Sequence, residues 1–197
     1  MILGLTGGIA SGKSMISSWC RSHHLMVIDG DEIAREVVQV GQPALDDIVA
    51  AFGSQILQTD GSLNRPLLAQ LIFQSSEQKQ RLDAIMQPRI FDKIEQEIHR
   101  HWQEEEVILD LPLLFEMHYD QIVDVTIVVA VDFATQMARL KKRNHLTEKE
   151  ALQRIQSQMP LAEKVKRADF VIDNNGSREE SYQQMAAILR QLKIRVE

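Results

Sequence analysis

The chain has 197 residues and a mass of 22.5 kDa, with 22 basic and 28 acidic side chains and a formal net charge of −6. This length fits one domain, with room for an inserted subdomain, and 44% hydrophobic residues suffice for a full core. The single cysteine, Cys20, excludes an internal disulfide framework and a cysteine-based zinc site. The net acidity argues against broad nucleic-acid binding. Without a bilayer-spanning apolar stretch or a signal-peptide pattern, we expect a cytoplasmic protein with no membrane partner.

The first half of the chain predicts two short strands followed by a long helical block. Residues 1–6 are apolar and end in glycines, as in a buried strand, and a helix is predicted from Lys13 to about His23. Met26–Ile28 form the second strand, which the Asp29–Asp31 turn closes. Helices are then predicted at Ala44–Phe52, Pro66–Phe73 and Pro88–Trp102, with both prolines in the first turn. A turn at Thr59–Ser62 separates two of these helices.

Strand patterns return in the second half of the chain. Continuous apolar runs at Val107–Leu111 and Val125–Val131 are typical of strands covered on both faces of a parallel sheet. Further elements are predicted as helices at Ala134–Arg143, Thr147–Met159 and Arg178–Leu192, and as a strand at Phe170–Ile172. The Thr147–Glu150 segment is a capping box. Strands that alternate with helices predict an α/β fold with a mostly parallel sheet, and the long block after the second strand predicts an inserted helical subdomain.

The segment Gly7–Ser14 fits the phosphate-binding pattern G-x-x-x-x-G-K-[ST] and lies between a predicted strand and a predicted helix. Glycines allow the backbone to curl with its N–H groups inward, so that they cradle phosphate oxygens at a helix N-terminus. Lys13 would reach the β- and γ-phosphates, and the Ser14 hydroxyl would ligate Mg²⁺. The motif therefore predicts a nucleoside triphosphate site.

Carboxylates follow two predicted strands, where ligands bind in such folds. Asp29 and Asp31 follow the second strand, and either could orient an acceptor hydroxyl and take its proton. The alternative is that one or both cap the helix that begins near Glu32. Asp110 ends the third strand as a Walker-B carboxylate does, and it could hold Mg²⁺ directly or through water.

Two further features have both a functional and a structural interpretation. The apolar run Pro112–Glu116 follows a strand end, so it could form the wall of a substrate pocket or simply belong to the core under a loop. Arg139 lies in a basic cluster near a helix end. Cations there complement the helix dipole, but an arginine before a helix–turn–helix segment also resembles a lid that closes on phosphates.

Taken together and in this order, the P-loop, Asp29-Gly30-Asp31, Pro112-Leu113-Leu114-Phe115-Glu116 and Ile172-Asp173-Asn174-Asn175-Gly176 resemble the dephospho-CoA kinase family. The resemblance implies a P-loop nucleoside-triphosphate hydrolase-type core with a mostly parallel sheet flanked by helices, at about 1–31, 104–133 and 168–197. It also implies a helical CoA-binding subdomain at about 32–103 and a helical lid at about 134–167. The implied reaction moves the γ-phosphoryl group of ATP, with Mg²⁺, to the ribose 3′-hydroxyl of dephospho-CoA. The implied partners are small molecules only, and we expect a monomer.

Carried over residue by residue, the resemblance implies that Asp31 activates the hydroxyl and that Lys13 and Arg139 are also catalytic. The implied ATP-binding residues are Gly8, Ile9, Ala10, Ser11, Gly12, Lys13, Ser14, Met15, Arg139, Asn174 and Asn175, and Ser14 is also the metal ligand. The implied acceptor-binding residues are Asp31, Arg65, Pro112, Leu113, Leu114 and Glu116. Ala10 departs from the family pattern, since glycine is common there, but no departure removes a group that the chemistry needs.

Two rival functions share the P-loop. The first is a different small-molecule or nucleotide kinase, which would keep Lys13, Asp31 and Arg139 but present another acceptor pocket. The second is a GTP-binding switch, because Asp173–Gly176 satisfies the loose D-x-x-G pattern. The sequence contains no Asn-Lys-x-Asp guanine signature, which argues against the switch.

Overall fold

The computed structural model describes residues 1–101 and 106–195, except for the side chains of residues 73 and 74. Its central sheet has five strands in the order β2-β3-β1-β4-β5, which are β1 (Ile2–Gly7), β2 (Met26–Asp29), β3 (Val107–Asp110), β4 (Val125–Ala130) and β5 (Phe170–Asp173). Strand β1 pairs in parallel with both β3 and β4, and β4 pairs in parallel with β5. The predicted α/β fold with a mostly parallel sheet is therefore confirmed.

The strands form where the sequence is apolar because both faces of the sheet are covered. All four residues of β3 are buried, as are the last five residues of β1. Leu3, Leu5 and Ile127 are fully buried in one core cluster with residues of helices α1 (Lys13–Ser22) and α9 (Arg178–Gln191). Burying each such side chain contributes about 1.5–3 kcal/mol, so this layer of helices fixes the sheet and with it the positions of the strand ends.

Most of the predicted helices are present within a few residues of their expected ends. The remaining helices are α2 (Gly30–Glu36), α3 (Pro43–Phe52), α4 (Arg65–Gln74), α5 (Ser76–His101), α6 (Phe133–Asn144), α7 (Glu148–Gln156) and α8 (Leu161–Arg167). The Thr147 capping box at the start of α7 is confirmed. The sequence predicted no helix at α8, and the expected end of α5 at Trp102 lies outside the described residues.

The predicted first-turn position of Pro88 is wrong. Helix α5 begins at Ser76, so Pro88 lies inside it, whereas Pro66 does occupy the first turn of α4. A proline in a helix interior lacks the N–H donor and crowds the preceding turn, at a cost of about 3 kcal/mol. Ile94 and Ile98 of the same helix are buried, and packing of this kind stabilises helices more than local propensity does.

The chain divides into two compact units, and each has its own buried residues. The first comprises Met1–Ile28 and Arg100–Glu197, and the second comprises Asp29–His99. In the second unit the predicted turn at Thr59–Ser62 is confirmed: Gly61 has a φ of +81° and its N–H donates to Gln58. The Ser62 side chain and N–H donate to Asp60, which lowers the pKa of that carboxyl. Among the described residues, no helix is both long and apolar enough to cross a membrane.

Cys20 provides a test of this core. Its side chain is fully buried in α1, and burial raises the pKa of its thiol to about 12. Because the thiolate is the reactive form, we expect the folded protein to react with an aromatic disulfide reagent at pH 8 roughly 10³-fold more slowly than the protein in guanidinium. The chain has no other cysteine, so the released chromophore reports Cys20 alone. Equal rates in both solutions would contradict this packing.

Candidate active site

The P-loop connects the end of β1 at Gly7 to the start of α1 at Lys13, which is the context that the sequence predicted. The bend is closed by the Ser11 N–H, which donates to the Gly8 carbonyl at 3.1 Å. Gly12 has a φ of +101°, a conformation that glycine adopts without steric cost. Ala10 has a φ of +60°, where a Cβ atom costs about 1–2 kcal/mol. A glycine at this position would avoid that cost.

Two glycines of the P-loop leave space that side-chain amides occupy. A Cβ atom on Gly8 would lie 2.6 Å from the Gln136 side-chain nitrogen. A Cβ atom on Gly12 would overlap with the side-chain nitrogen of Asn174. Any larger residue at either position would therefore displace an amide that now contacts the loop.

Lys13 and Asp110 form an ion pair at the end of β3, with Nζ of Lys13 against Oδ1 of Asp110. Asp110 is 1% exposed, so its carboxylate needs a charged or hydrogen-bonding partner to offset its loss of hydration. The structure thus brings together the P-loop lysine and the Walker-B-like carboxylate, which the sequence placed 97 residues apart.

Asn174 fastens the turn after β5 to the P-loop. Its side-chain nitrogen donates to the Ser11 carbonyl at 2.7 Å, and its side-chain oxygen accepts from the Ser181 hydroxyl at 2.8 Å. Asn174 is 4% exposed, so its amide is a buried link that hydrogen-bonds both to the loop and to α9. Asn175 is exposed, and its side-chain oxygen accepts from the Asp132 N–H at 2.9 Å.

Arg139 lies in α6 beside the same turn. Its guanidinium donates to the Asn174 carbonyl at 3.0 Å, and a Cβ atom on Gly12 would lie 3.9 Å from one of its nitrogens. Asp132 caps this helix by accepting from the Thr135 N–H and hydroxyl, which lowers the pKa of the Asp132 carboxyl. The structure therefore places a guanidinium next to the P-loop, away from the exposed basic residues at the end of α6.

The run after β3 contains both core and half-buried residues. Leu114 and Phe115 are buried, and Leu114 occupies the space beside Gly4. For these two side chains the core interpretation holds, so the side chain of Leu114 offers no open pocket wall. Pro112, Leu113 and Glu116 are half-buried.

Glu116 is held by a buried lysine for which the sequence provided no motif. Lys164 of α8 is fully buried, and its ammonium contacts Glu116 Oε1 at 2.9 Å and the Pro112 carbonyl at 2.7 Å. Burial lowers the pKa of Lys164, while the hydrogen bond and charge of Glu116 oppose that shift. Glu116 Oε1 also accepts from the Met159 N–H at 2.9 Å. Lysine is seldom fully buried, and nothing in the sequence marks Lys164 as an exception.

The second unit contains Asp29, Asp31 and Arg65. Asp29 is the N-cap of α2, since its side chain accepts from the Asp31 N–H at 2.9 Å and the Glu32 N–H at 3.3 Å. Asp31 is exposed in the first turn of this helix and does not cap it. Arg65 donates to the Arg35 carbonyl at 3.4 Å and lines a cavity of about 410 Å³ with it.

A P-loop follows β1, and its lysine pairs with the carboxylate at the end of β3. These features place the chain in the class of P-loop α/β proteins. A family model described as dephospho-CoA kinase matches residues 1–180. The chain belongs to the dephospho-CoA kinase family. The dephospho-CoA kinase of Geobacillus kaustophilus is 49% identical to it and that of Bacillus cereus strain ATCC 10987 is 47% identical. The alignment with the Geobacillus protein covers 97% of this chain and 96% of that protein. The alignment with the Bacillus protein covers 98% of each.

Solved structures agree with this family. A dephospho-CoA kinase from Campylobacter jejuni superposes with a TM-score of 0.74 at 26% identity, covering 97% of this chain and 96% of that one. The Thermus thermophilus protein TT1252 superposes with a TM-score of 0.84 at 32% identity, covering 98% and 97%. A shikimate kinase from Aquifex aeolicus shares the fold alone, with a TM-score of 0.55 at 17% identity and 98% of both chains covered.

Proposed function

We propose that this chain transfers the γ-phosphoryl group of ATP to the ribose 3′-hydroxyl of dephospho-CoA, the final step of coenzyme A biosynthesis. The single observation that carries the proposal is the family match over residues 1–180, which includes the P-loop and the two asparagines after β5. The geometry independently supports the phosphate-binding part of this proposal, because a phosphate-binding loop, a lysine and an arginine lie together. We also propose that the protein works as a monomer in the cytoplasm.

The triphosphate would lie along the P-loop at residues 8–15, with the backbone amides of Ala10 and Gly12 among the donors. Lys13 would exchange part of its contact with Asp110 for the β- and γ-phosphates. Arg139 would add a planar fork of donors, which suits two phosphate oxygens at once. The turn with Asn174 and Asn175 would lie beside the adenine.

Mg²⁺ fits the residues present. Among the described residues, no group of three or more histidine, cysteine or acidic side chains could hold a metal. Mg²⁺ does not need such a group, because in kinases it is bound through substrate phosphates and one or two protein oxygens rather than in an all-protein cage. The Ser14 hydroxyl is exposed in the first turn of α1 and would be a ligand, with Asp110 as a further oxygen. The ion would neutralise charge on the transferring phosphoryl group.

The acceptor hydroxyl would be oriented and deprotonated by Asp31. Because Asp29 already caps α2, the exposed Asp31 carboxylate is available for this role. Arg65, Pro112, Leu113 and Glu116 would bind the rest of dephospho-CoA, with Leu114 limited to its backbone. In this scheme the helical block at about 32–103 is the CoA-binding subdomain and residues 134–167 form the lid.

A panel of acceptors tests this proposal. The purified protein would be incubated with ATP and Mg²⁺ and, separately, dephospho-CoA, nucleoside monophosphates, shikimate or gluconate, and ADP release would be measured. We expect dephospho-CoA to be the preferred acceptor and ATP to be preferred over GTP. Higher kcat/KM with any other acceptor would overturn the substrate assignment, and GTP hydrolysis without an acceptor would favour the switch.

Arg139 provides a prediction about the proposed lid. If its contact strengthens as charge redistributes on the phosphates, Arg139→Ala should lower kcat about 10²-fold with a smaller change in KM for dephospho-CoA. Steady-state kinetics with both substrates measure the two constants, and Arg143→Ala on the exposed end of α6 is the matched control. An unchanged kcat with a raised KM would mean that Arg139 serves binding only.

A further inference from the structure

Two glutamine side chains hold both backbone polar groups of Ile9 in the P-loop. The Ile9 N–H donates to Gln158 Oε1 at 3.1 Å, and the Ile9 carbonyl accepts from Gln136 Nε2 at 2.8 Å. Gln136 belongs to α6 and is 3% exposed, and Gln158 is half-buried between α7 and α8. We refer to Gln136 and Gln158 as the glutamine clamp.

The clamp determines which way the neighbouring amide points. In a trans peptide the carbonyl and the following N–H point in opposite directions. Because Gln136 holds the Ile9 carbonyl, the Ala10 N–H points away from Gln136. Asn174 acts in the same way on the Ser11 carbonyl, so the Gly12 N–H points away from Asn174. The N–H groups of Ala10 and Gly12 are thereby each turned away from the side chain that holds the preceding carbonyl.

The glycine positions support this arrangement. Gly8 and Gly12 are the residues whose missing Cβ atoms leave space for the Gln136 and Asn174 amides. A fully buried glutamine also requires a partner, since burying an amide without a hydrogen bond costs about 1–3 kcal/mol. The Ile9 carbonyl provides such a partner, so the positions of the Gln136 amide and of the loop are linked.

We propose that Gln136 and Gln158 are positioning residues that preset the P-loop for phosphate. They would act through the Ile9 backbone and not by touching the nucleotide. A loop already ordered in its binding shape loses less conformational freedom on binding, so its affinity for phosphate rises. This inference rests on the proposed role of the P-loop but not on which acceptor is phosphorylated.

The test uses inorganic tripolyphosphate, so that neither adenine nor acceptor contributes. Affinity would be measured by titration calorimetry for Gln136→Leu, for Gln158→Leu and for Gln156→Leu, a matched control on an exposed glutamine of α7. Loss of one neutral hydrogen bond predicts a three- to tenfold rise in Kd for each clamp variant, and none for the control. The ¹⁵N–¹H signal of Ala10, whose preceding carbonyl Gln136 holds, should shift in Gln136→Leu, which a general loss of stability would not produce selectively.

Unchanged tripolyphosphate affinity in folded Gln136→Leu, together with an unshifted Ala10 amide signal, would overturn the proposal. Should that variant fail to fold, Gln158→Leu decides, because its half-buried loop position tolerates an apolar side chain; an unchanged Kd there also overturns it. If dephospho-CoA were not the acceptor, the tripolyphosphate result would be unaffected, so the two failures are distinguishable.

Discussion

Replacing Lys13 with alanine should lower turnover by about 10²–10⁴-fold, because one major electrostatic contact to the transferring phosphoryl group is lost. The same change leaves the buried Asp110 carboxylate without its ammonium partner. Removing one partner of a buried pair costs about 3–5 kcal/mol of stability, so the melting temperature should fall as well. Turnover must therefore be measured below the melting temperature, with circular dichroism on the same sample.

Lys142→Ala is the matched control for this experiment. Lys142 is an exposed lysine at the end of α6, so its removal changes the net charge equally while the P-loop is untouched. We expect turnover and melting temperature close to those of the parent protein. Near-normal turnover in folded Lys13→Ala would contradict the role of the P-loop lysine.

Asp31→Asn should lower phosphoryl transfer by roughly 10²–10⁴-fold while ATP affinity is retained, since asparagine keeps the size of the side chain but takes no proton. The loss falls towards the lower end if the transition state is loose and metaphosphate-like, because such a transition state demands little deprotonation. Stability should be unchanged, because Asp29 and not Asp31 caps α2.

The control for Asp31→Asn is Glu36→Gln, which removes an exposed carboxylate from the same helix. Melting temperature, ATP binding and turnover would be measured for both variants. We expect the control to match the parent protein in all three. A stable and active Asp31→Asn would move the catalytic assignment to Asp29, whose present contacts are those of a helix cap.

The sequence predicted the sheet because its strands are continuous apolar runs, and it predicted the P-loop because glycine spacing and strand–helix context coincide. It located the start of α7 from the Thr147 capping box, since capping is a local interaction. The prediction of a helix start at Pro88 was wrong, because packing between residues distant in the chain also determines where a helix begins. Helix α5 continues through Pro88 and buries Ile98, and a rule that places proline in the first turn takes no account of such packing.

The contacts around the P-loop could not be predicted from the sequence, because they too depend on residues that are distant in the chain. Gln136 and Gln158 reach Ile9 from 127 and 149 residues away. Lys164 is buried against Glu116 from a helix that the pattern did not predict. Such pairs leave no periodicity or motif, because a glutamine or lysine in a helix is ordinarily a solvated surface residue. The site's chemistry was visible in sequence, but the side chains that support it were not.

The most direct test of the proposed reaction is the position of the new phosphate. The product formed from ATP, Mg²⁺ and dephospho-CoA would be purified, and its phosphorus and ribose proton couplings would be measured by NMR. We expect one new phosphate monoester coupled to the ribose 3′ proton, formed about 10²–10⁴-fold more slowly by Lys13→Ala. A phosphate at the 2′ position, or no phosphorylated product from the folded parent protein, would contradict it.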